Sequence, residues 1–440
     1  MKKWIILLAL PAAIVFLFSV SQASYIFSSE IVMQAVPGDS TAFFEAQLVN
    51  TGVGRDVYII TKQENIPETW YCYLCIDSLC LPGDSGQAIL DPGEISMIKP
   101  EMIPMMTAGD GEVTVTVQPA SDPDDIKQIT FRAVSGYATL LVNAGLEENQ
   151  YREYYSEALA NAEVEFNFWD LNFSSFRYSD LLNFRSMLIY SGDRLSQIFT
   201  GDEIEALTEF CLSGGNLLLT GQGIASTLCG TELLEIVVGA GCESTHDGPM
   251  QIVGIAGNPV GDGLQFSIEG GDGAYNQVEP DEIVPVGEAT ASFAYSSGAI
   301  AGTTKATAQN GMAFLGFGLE AIDNAADRAE VVDRVFVWFD QVTSVAGNLT
   351  AVLPTAEIVG CYPNPFNPTT SIRYNLSLAG DVTIDIYNII GQRVTTLFDG
   401  TGQAGYHTIN WRADECPSGV YFARLEAAGY QSSIKMLLLK

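Results

Sequence analysis

Three cysteines fall within nine residues, Cys72, Cys75 and Cys80 in WYCYLCIDSLC. Thiolates at that density suit zinc, but no histidine lies near them and a fourth ligand is missing. The spacing therefore predicts one disulfide with one thiol left over, the pairing open. The methionines of MIKPEMIPMM (97–106) suggest copper, yet Pro100 and Pro104 interrupt them and again no histidine is close; they read as packing residues. His246 sits beside Asp247 and four residues after Cys242, which would allow a Cys/His pair, but a Gly-flanked loop histidine reads as solvated. The carboxylates Asp262, Asp272, Glu279, Asp281 and Glu282 could ligate calcium through oxygen, although none has the spacing of a calcium loop. No metal and no cofactor are assigned, with calcium the one cation the ligand types would suit.

Elements must position these groups, and the hydrophobic period changes along the chain. Residues 24–135 alternate in short runs such as STAFFEAQLVN, RDVYIITKQ and EVTVTVQPA, separated by Gly, Pro, Asn and Asp turns. Strands at that spacing predict an all-β sandwich of immunoglobulin type. Trp70, Tyr71 and Tyr73 could form a carbohydrate platform if exposed and coplanar; Trp70 reads as core. From YATLLVNAG (137–145) onward, strands alternate with helical periods: EENQYREYYSEALANA, VEFNFWDL, RSMLIYSG, GDEIEALTEFCLSGG and NLLLTG follow in turn. A last helix, NAADRAEVVDRVFVWFDQV, ends near residue 342. That alternation predicts βαβ units and a central α/β parallel sheet over residues 136–342. Residues 343–360 read as a linker, and 361–440 as a second β sandwich entered through CYPNPFNPTTSIRYNL, whose prolines exclude a helix.

Composition bounds the partners. The 440 residues carry 20 Lys plus Arg against 53 Asp plus Glu, a net charge of −33. Such a chain repels phosphate backbones and anionic headgroups, so no nucleic-acid partner is expected. The acidity is uneven: residues 346–440 hold 6 basic and 7 acidic side chains. The start, MKKWIILLALPAAIVFLFSVSQAS, has two lysines, an apolar run and small residues, and reads as a secretory signal over residues 1–23 that engages the Sec translocon. A retained anchor is the alternative, weakened by Pro11. No membrane span is expected after cleavage, and export permits disulfides among the eight cysteines.

YPNPFNPTTSIRYNL, DVTIDIYNIIGQRVTTLFDG, AGYHTINW, PSGVYFARLEAAG and the terminal KMLLLK resemble, in order and spacing, the C-terminal sorting domain of proteins exported by the type IX secretion system. The characteristic positions carry over as Pro363, Asn364, Pro365, Phe366 and Asn367, then Gly419, Val420 and Tyr421, then the terminal strand from Lys435 to Lys440. The resemblance implies passage through the periplasm, delivery by the type IX machinery, and a protein released or held at the cell surface. Cys361 and Cys416 lie outside the family pattern and are expected to pair.

The central region, through LSGGNLLLTGQGIA (212–225) and GMAFLGFGLEAI (311–322), resembles flavodoxin-like domains related to class I glutamine amidotransferases and the trehalose-utilisation family. In amidotransferases the turn after the strand corresponding to NLLLTG bears a nucleophilic cysteine; here it reads Gly221, Gln222, Gly223. The family's Phe-His-Pro-Glu stretch appears as Phe317, Gly318, Leu319, Glu320, without the imidazole. Amidotransferase chemistry is therefore not expected, and no catalytic residue is assigned. If this region binds a ligand, the carboxyl ends of its strands make Gly221, Gln222, Gly223 and Glu320 the first candidates. The reading is an exported, modular protein with a non-catalytic binding or structural role toward an extracellular ligand such as carbohydrate; the alternative is a secreted hydrolase using the central region.

Overall fold

The computed structural model describes residues 25–81, 83–349, 356–362, 364–376, 380–402, 405–427 and 430–440. The expected signal over residues 1–23 lies outside the described residues, as does Pro363. The chain divides into two compact units, Met1–Thr343 and Ser344–Lys440.

In the first unit, residues 25–135 form two sheets over one core. One sheet runs Tyr25–Ser29, Ala46–Asn50, Ile95–Ile103, Tyr71–Ile76, Leu79–Leu81. The other runs Met33–Val36, Lys127–Ser135, Gly109–Pro119, Asp56–Asn65, Ser85–Leu90. The period-two pattern of Gly109–Pro119 turns Val113, Val115 and Val117 inward, against Leu48, Leu74, Ile98 and Met102 of the facing sheet. Each such buried side chain contributes roughly 1.5–3 kcal/mol. Trp70 is core, with its indole N–H donating to the Thr107 carbonyl at 3.1 Å. Gly111 leaves it room, since a Cβ there would stand 2.8 Å from the indole. Of the methionines expected to pack, Met102 is buried, but Met105 and Met106 are exposed where the chain takes positive φ.

The middle of the chain builds one nine-stranded sheet. Phe166–Asp170, Thr139–Asn143, Ser186–Tyr190, Asn216–Thr220 and Gly311–Leu315 are parallel neighbours in that order. Ile300–Ala306, Thr290–Tyr295, Gln251–Gly254 and Gln265–Ser267 continue it in antiparallel register. Alternate residues of each central strand enter opposite cores. Leu140 and Val142 join Leu207 and Phe210 of the helix Gly201–Leu212. Leu141 joins Tyr155 and Leu159 of the helix Arg152–Asn161 and Val331 and Val335 of the helix Ala325–Leu349. The helix Gly201–Leu212 starts on a capping box, with Glu203 N–H donating to Thr200 Oγ1 at 3.3 Å and Thr200 N–H to Glu203 Oε2 at 2.8 Å.

This corrects the expected fold class. The chain is 46% strand and 16% helix, spread over several sheets, and among the described residues no large parallel α/β core of flavodoxin type forms. The physical reason lies in residues 240–306. Their short Gly-, Ser- and Thr-rich runs carry little apolar period, yet they pair as hairpins, one closing at Gly298 with φ of 97°. They turn a sheet expected to be parallel into a mixed one. The last helix also runs on to Leu349, into the stretch read as linker, and a strand, Ala356–Tyr362, begins within that same stretch.

The second unit is two sheets. Ala356–Tyr362, Thr369–Leu376 and Gly405–Arg412 make one; Arg393–Gly402, Gly380–Asn388, Gly419–Ala427 and Tyr430–Leu438 make the other. Ile372 and Trp411 from the first meet Ile386, Tyr421, Ala423 and Met436 from the second in one core.

The cysteines settle partly against expectation. Cys75–Cys80 is a disulfide joining cross-strand partners, and Cys72 remains the free thiol of the trio. A second disulfide joins Cys229 and Cys242. Cys361 and Cys416, expected to pair, are both free; each packs instead as an apolar side chain against the core around Trp411.

Candidate functional site

The turn after Asn216–Thr220 and the loop after Gly311–Leu315 lie side by side, because Thr220 Oγ1 donates to the Phe317 carbonyl at 2.8 Å and accepts from Leu319 N–H at 3.1 Å. This brings Gln222 and Glu320 into one buried network. Gln222 Nε2 donates to the carbonyls of Gly192 at 3.2 Å and Asn276 at 2.8 Å, and its Oε1 accepts from the N–H groups of Val278 at 2.8 Å and Glu279 at 3.0 Å. Both donors and both acceptor positions of the amide are used. Glu320 Oε1 accepts from Asn276 Nδ2 at 2.7 Å, and its Oε2 accepts from the Tyr155 hydroxyl. Both side chains are fully buried. Burial pushes the Glu320 carboxyl above its ordinary pKa, with the bonds from Tyr155 and Asn276 pulling the other way.

The glycines of this turn answer to packing. A Cβ on Gly221, where φ is 137°, would stand 2.0 Å from Ser191 Oγ, and one on Gly223, where φ is 73°, would stand 2.5 Å from the Leu195 carbonyl oxygen. Of the four residues named as a candidate ligand pocket, Gln222 and Glu320 thus have their side-chain polar atoms bonded to neighbouring protein groups, and Gly221 and Gly223 sit where a Cβ would clash.

The other chemistry-bearing residues disperse. His246 is not solvated: it is 3% exposed, stacks on Tyr295 at 3.7 Å between ring centroids, and places Nδ1 2.8 Å from Glu282 Oε1. Glu282 lies 36 positions on and Tyr295 further still, so no local pattern marks the histidine as buried. Asp281 is buried beneath the start of the short helix Ile224–Leu228 and accepts from Ala225 N–H at 2.9 Å. Burial raises its carboxyl to about 7, although the backbone N–H groups from Gly223 to Ser226 counteract. Asp272 pairs with Arg328 at 3.0 Å. Tyr71 and Tyr73 are exposed, but burial of Trp70 removes the third ring of a carbohydrate platform.

The tail motifs do converge. Asn364 Nδ2 donates to the Lys435 carbonyl at 3.0 Å while its Oδ1 accepts from Leu437 N–H at 2.8 Å, so one carboxamide grips the backbone of the terminal strand. Phe366 N–H donates to the Leu437 carbonyl at 2.9 Å, and the Phe366 carbonyl accepts from Leu439 N–H at 3.0 Å. Its ring, 2% exposed, lies 5.2 Å from Trp411, which lies 5.1 Å from Tyr421. Tyr421 hydroxyl donates to the Pro417 carbonyl at 2.8 Å. Gly419, Val420 and Tyr421 pair with Leu438, Leu437 and Met436. Pro365 and Asn367 flank Phe366 at the surface, and both Asn364–Pro365 and Asn367–Pro368 are cis. Lys435 is exposed, and Lys440 donates its Nζ to the Asp414 carbonyl and its N–H to Ser418 Oγ.

Residues 360–440 match the secretion system C-terminal sorting domain family. The sorting domain assigns the protein to type IX export, with the outer cell surface or the medium as its destination. Among the described residues no helix is long and apolar enough to cross a membrane.

No curated protein matches the chain. Among solved structures, the N-terminal domain of PorA is 11% identical, covers 24% of this chain and 89% of its own, and has a TM-score of 0.21. The PapD-like domain of human CEP192 is 12% identical over 30% of this chain and 92% of its own, with a TM-score of 0.18. The alpha-2-macroglobulin of E. coli is 11% identical over 26% of this chain and 7% of its own, with a TM-score of 0.20. Scores of this size establish no shared fold. The amidotransferase-like and trehalose-utilisation-like resemblance of residues 136–342 finds no support: the family match is confined to the tail.

Proposed function

We propose that residues 25–343 are a non-catalytic cargo that binds or scaffolds outside the cell, delivered by the sorting domain. On this reading residues 1–23 are a cleaved signal that passes the chain to the Sec translocon, and the extracellular partner is a small molecule or a glycan. The observation that carries the reading is the Gln222–Asn276–Glu320 network, in which the buried amide and carboxylate of the segments that follow two central strands are spent on internal hydrogen bonds. In this arrangement neither group presents a free polar atom within hydrogen-bond reach of a bound water or substrate carbonyl.

The test is a panel of ester, glycoside, phosphoester and peptide substrates offered to the purified secreted protein. The reading expects no turnover above buffer. Reproducible turnover of any of them contradicts it and favours a secreted hydrolase.

A further inference from the structure

A cavity of about 300 Å³ opens between the two-sheet part of the first unit and the start of the helix Arg152–Asn161, and the candidate residues named from the sequence do not line it. At about 30 Å³ per water it has room for roughly ten waters, or one amino-acid-sized solute. Its walls carry the carboxylates Asp110, Glu112 and Asp170 and the guanidinium groups Arg132 and Arg152.

Most of that charge is already matched. Arg132 pairs with Glu112 at 2.9 Å and with Glu148 at 2.6 Å. Asp170 is buried and accepts from Asn143 Nδ2, Asn149 N–H, Asn172 N–H and Asn172 Nδ2. Two groups differ. Arg152 lays its guanidinium over the Phe168 ring, 3.9 Å from the centroid, and makes one long side-chain bond, to Asn149 Oδ1 at 3.3 Å. Among the described residues no carboxylate lies within ion-pair distance of it. Asp110 accepts from Asn167 Nδ2 at 2.7 Å and likewise has no cationic partner at that distance. It is exposed to solvent, and it also accepts from the Phe168 backbone N–H. The cavity thus presents one positive and one negative group that do not close on each other.

A guanidinium packed over an aromatic ring and giving one long hydrogen bond to a neutral side chain has N–H groups left for a carboxylate. An accessible carboxylate with no cationic partner can accept the N–H groups of a ligand ammonium in charge-assisted bonds. We propose that this cavity binds a small zwitterion of the free α-amino acid class, its carboxylate on Arg152 and its ammonium on Asp110. The proposal rests on reading residues 25–343 as a binding unit and names the ligand class that unit takes.

Isothermal titration of the full-length secreted protein with glycine, L-serine and L-glutamate tests it, with sodium acetate, methylammonium chloride and D-glucose as controls that each carry part of the chemistry or none. At least one amino acid should bind more tightly than acetate, methylammonium or glucose. Arg152→Gln and Asp110→Asn should each weaken that binding by roughly ten-fold or more, because each removes a charge-assisted contact. Asp110→Asn keeps an oxygen for Asn167, so thermal melts should leave it folded even if Arg152→Gln is unstable. Absence of amino-acid binding, binding unchanged by Asp110→Asn, or tighter binding of glucose each overturns the proposal. Failure here with no turnover in the substrate panel leaves the non-catalytic reading standing and removes only the ligand class.

Discussion

Phe366 and Leu438 form a parallel bridge, the point at which the Pro-Asn-Pro-Phe segment is stitched to the end of the chain. The segment that opens the sorting domain and the strand that closes it are thereby one structural feature. Neither is complete without the other.

Phe366→Ala should unfold the second unit selectively. The ring is buried between Trp411 and the terminal strand, and removing a core aromatic costs about 3–5 kcal/mol. Limited proteolysis of the full chain should release residues 25–343 intact while the tail is degraded, and export should fail.

Asn364→Ala should be milder. It deletes two hydrogen bonds to the backbone of Lys435 and Leu437 at an exposed position, a loss of about 1–2 kcal/mol. Thermal unfolding followed by tail-specific proteolysis would register a lowered midpoint, with the first unit unchanged.

Gln222→Ala should destabilise the first unit by roughly 3 kcal/mol or more, since it leaves the carbonyls of Gly192 and Asn276 and the N–H groups of Val278 and Glu279 without partners in a dry interior. Denaturant unfolding measures this. A substitution that left stability unchanged would show that the amide is not a strut.

The tail is legible because its signal is local: fixed prolines, the Gly-Val-Tyr start of a strand and alternating strands put the motif residues where pairing brings them together. The interior of the first unit was less so. Gln222 follows the strand Asn216–Thr220, but the four backbone partners that occupy it come from Gly192 and from residues 276–279. His246 does lie in a loop, just past the strand Ala240–Thr245, but it is buried rather than solvated, because Tyr295 and Glu282, which cover and bind it, are supplied by tertiary structure alone. Residues 251–306 carry short strands whose register depends on the sheet already formed beside them, which is why a mixed sheet stands where a parallel one was expected. Asp110 and Arg152, 42 positions apart, become neighbours of one cavity only through that packing.

Asp281 should give the first unit a distinctive pH dependence. Its carboxyl is raised from 3.8 to about 7 in the fold, mainly by burial, so the native state holds a proton that the unfolded chain has already lost. The stabilisation from that proton is complete below about pH 4, falls as pH rises through about 7 and is absent above it, a swing of roughly 4 kcal/mol at most. Subtracting the stability profile of Asp281→Asn from that of the wild type between pH 4 and 8 should reveal this decline.

Thiol titration checks the cysteine assignment. In concentrated guanidinium without reductant, four thiols should react with DTNB, from Cys72, Cys211, Cys361 and Cys416. All eight should react after reduction. In the native protein Cys211 should react slowest, being fully enclosed with its thiol pushed up to about 12.

The central claim is that the sorting domain matched over residues 360–440 is the address and residues 25–343 the cargo. Expressing the full chain and a version ending at Gly360 in a host with type IX machinery, then assaying medium, intact-cell surface and periplasm, tests it most directly. The account predicts the full chain outside the outer membrane and the truncated one, folded, in the periplasm. Equal export of both would contradict it.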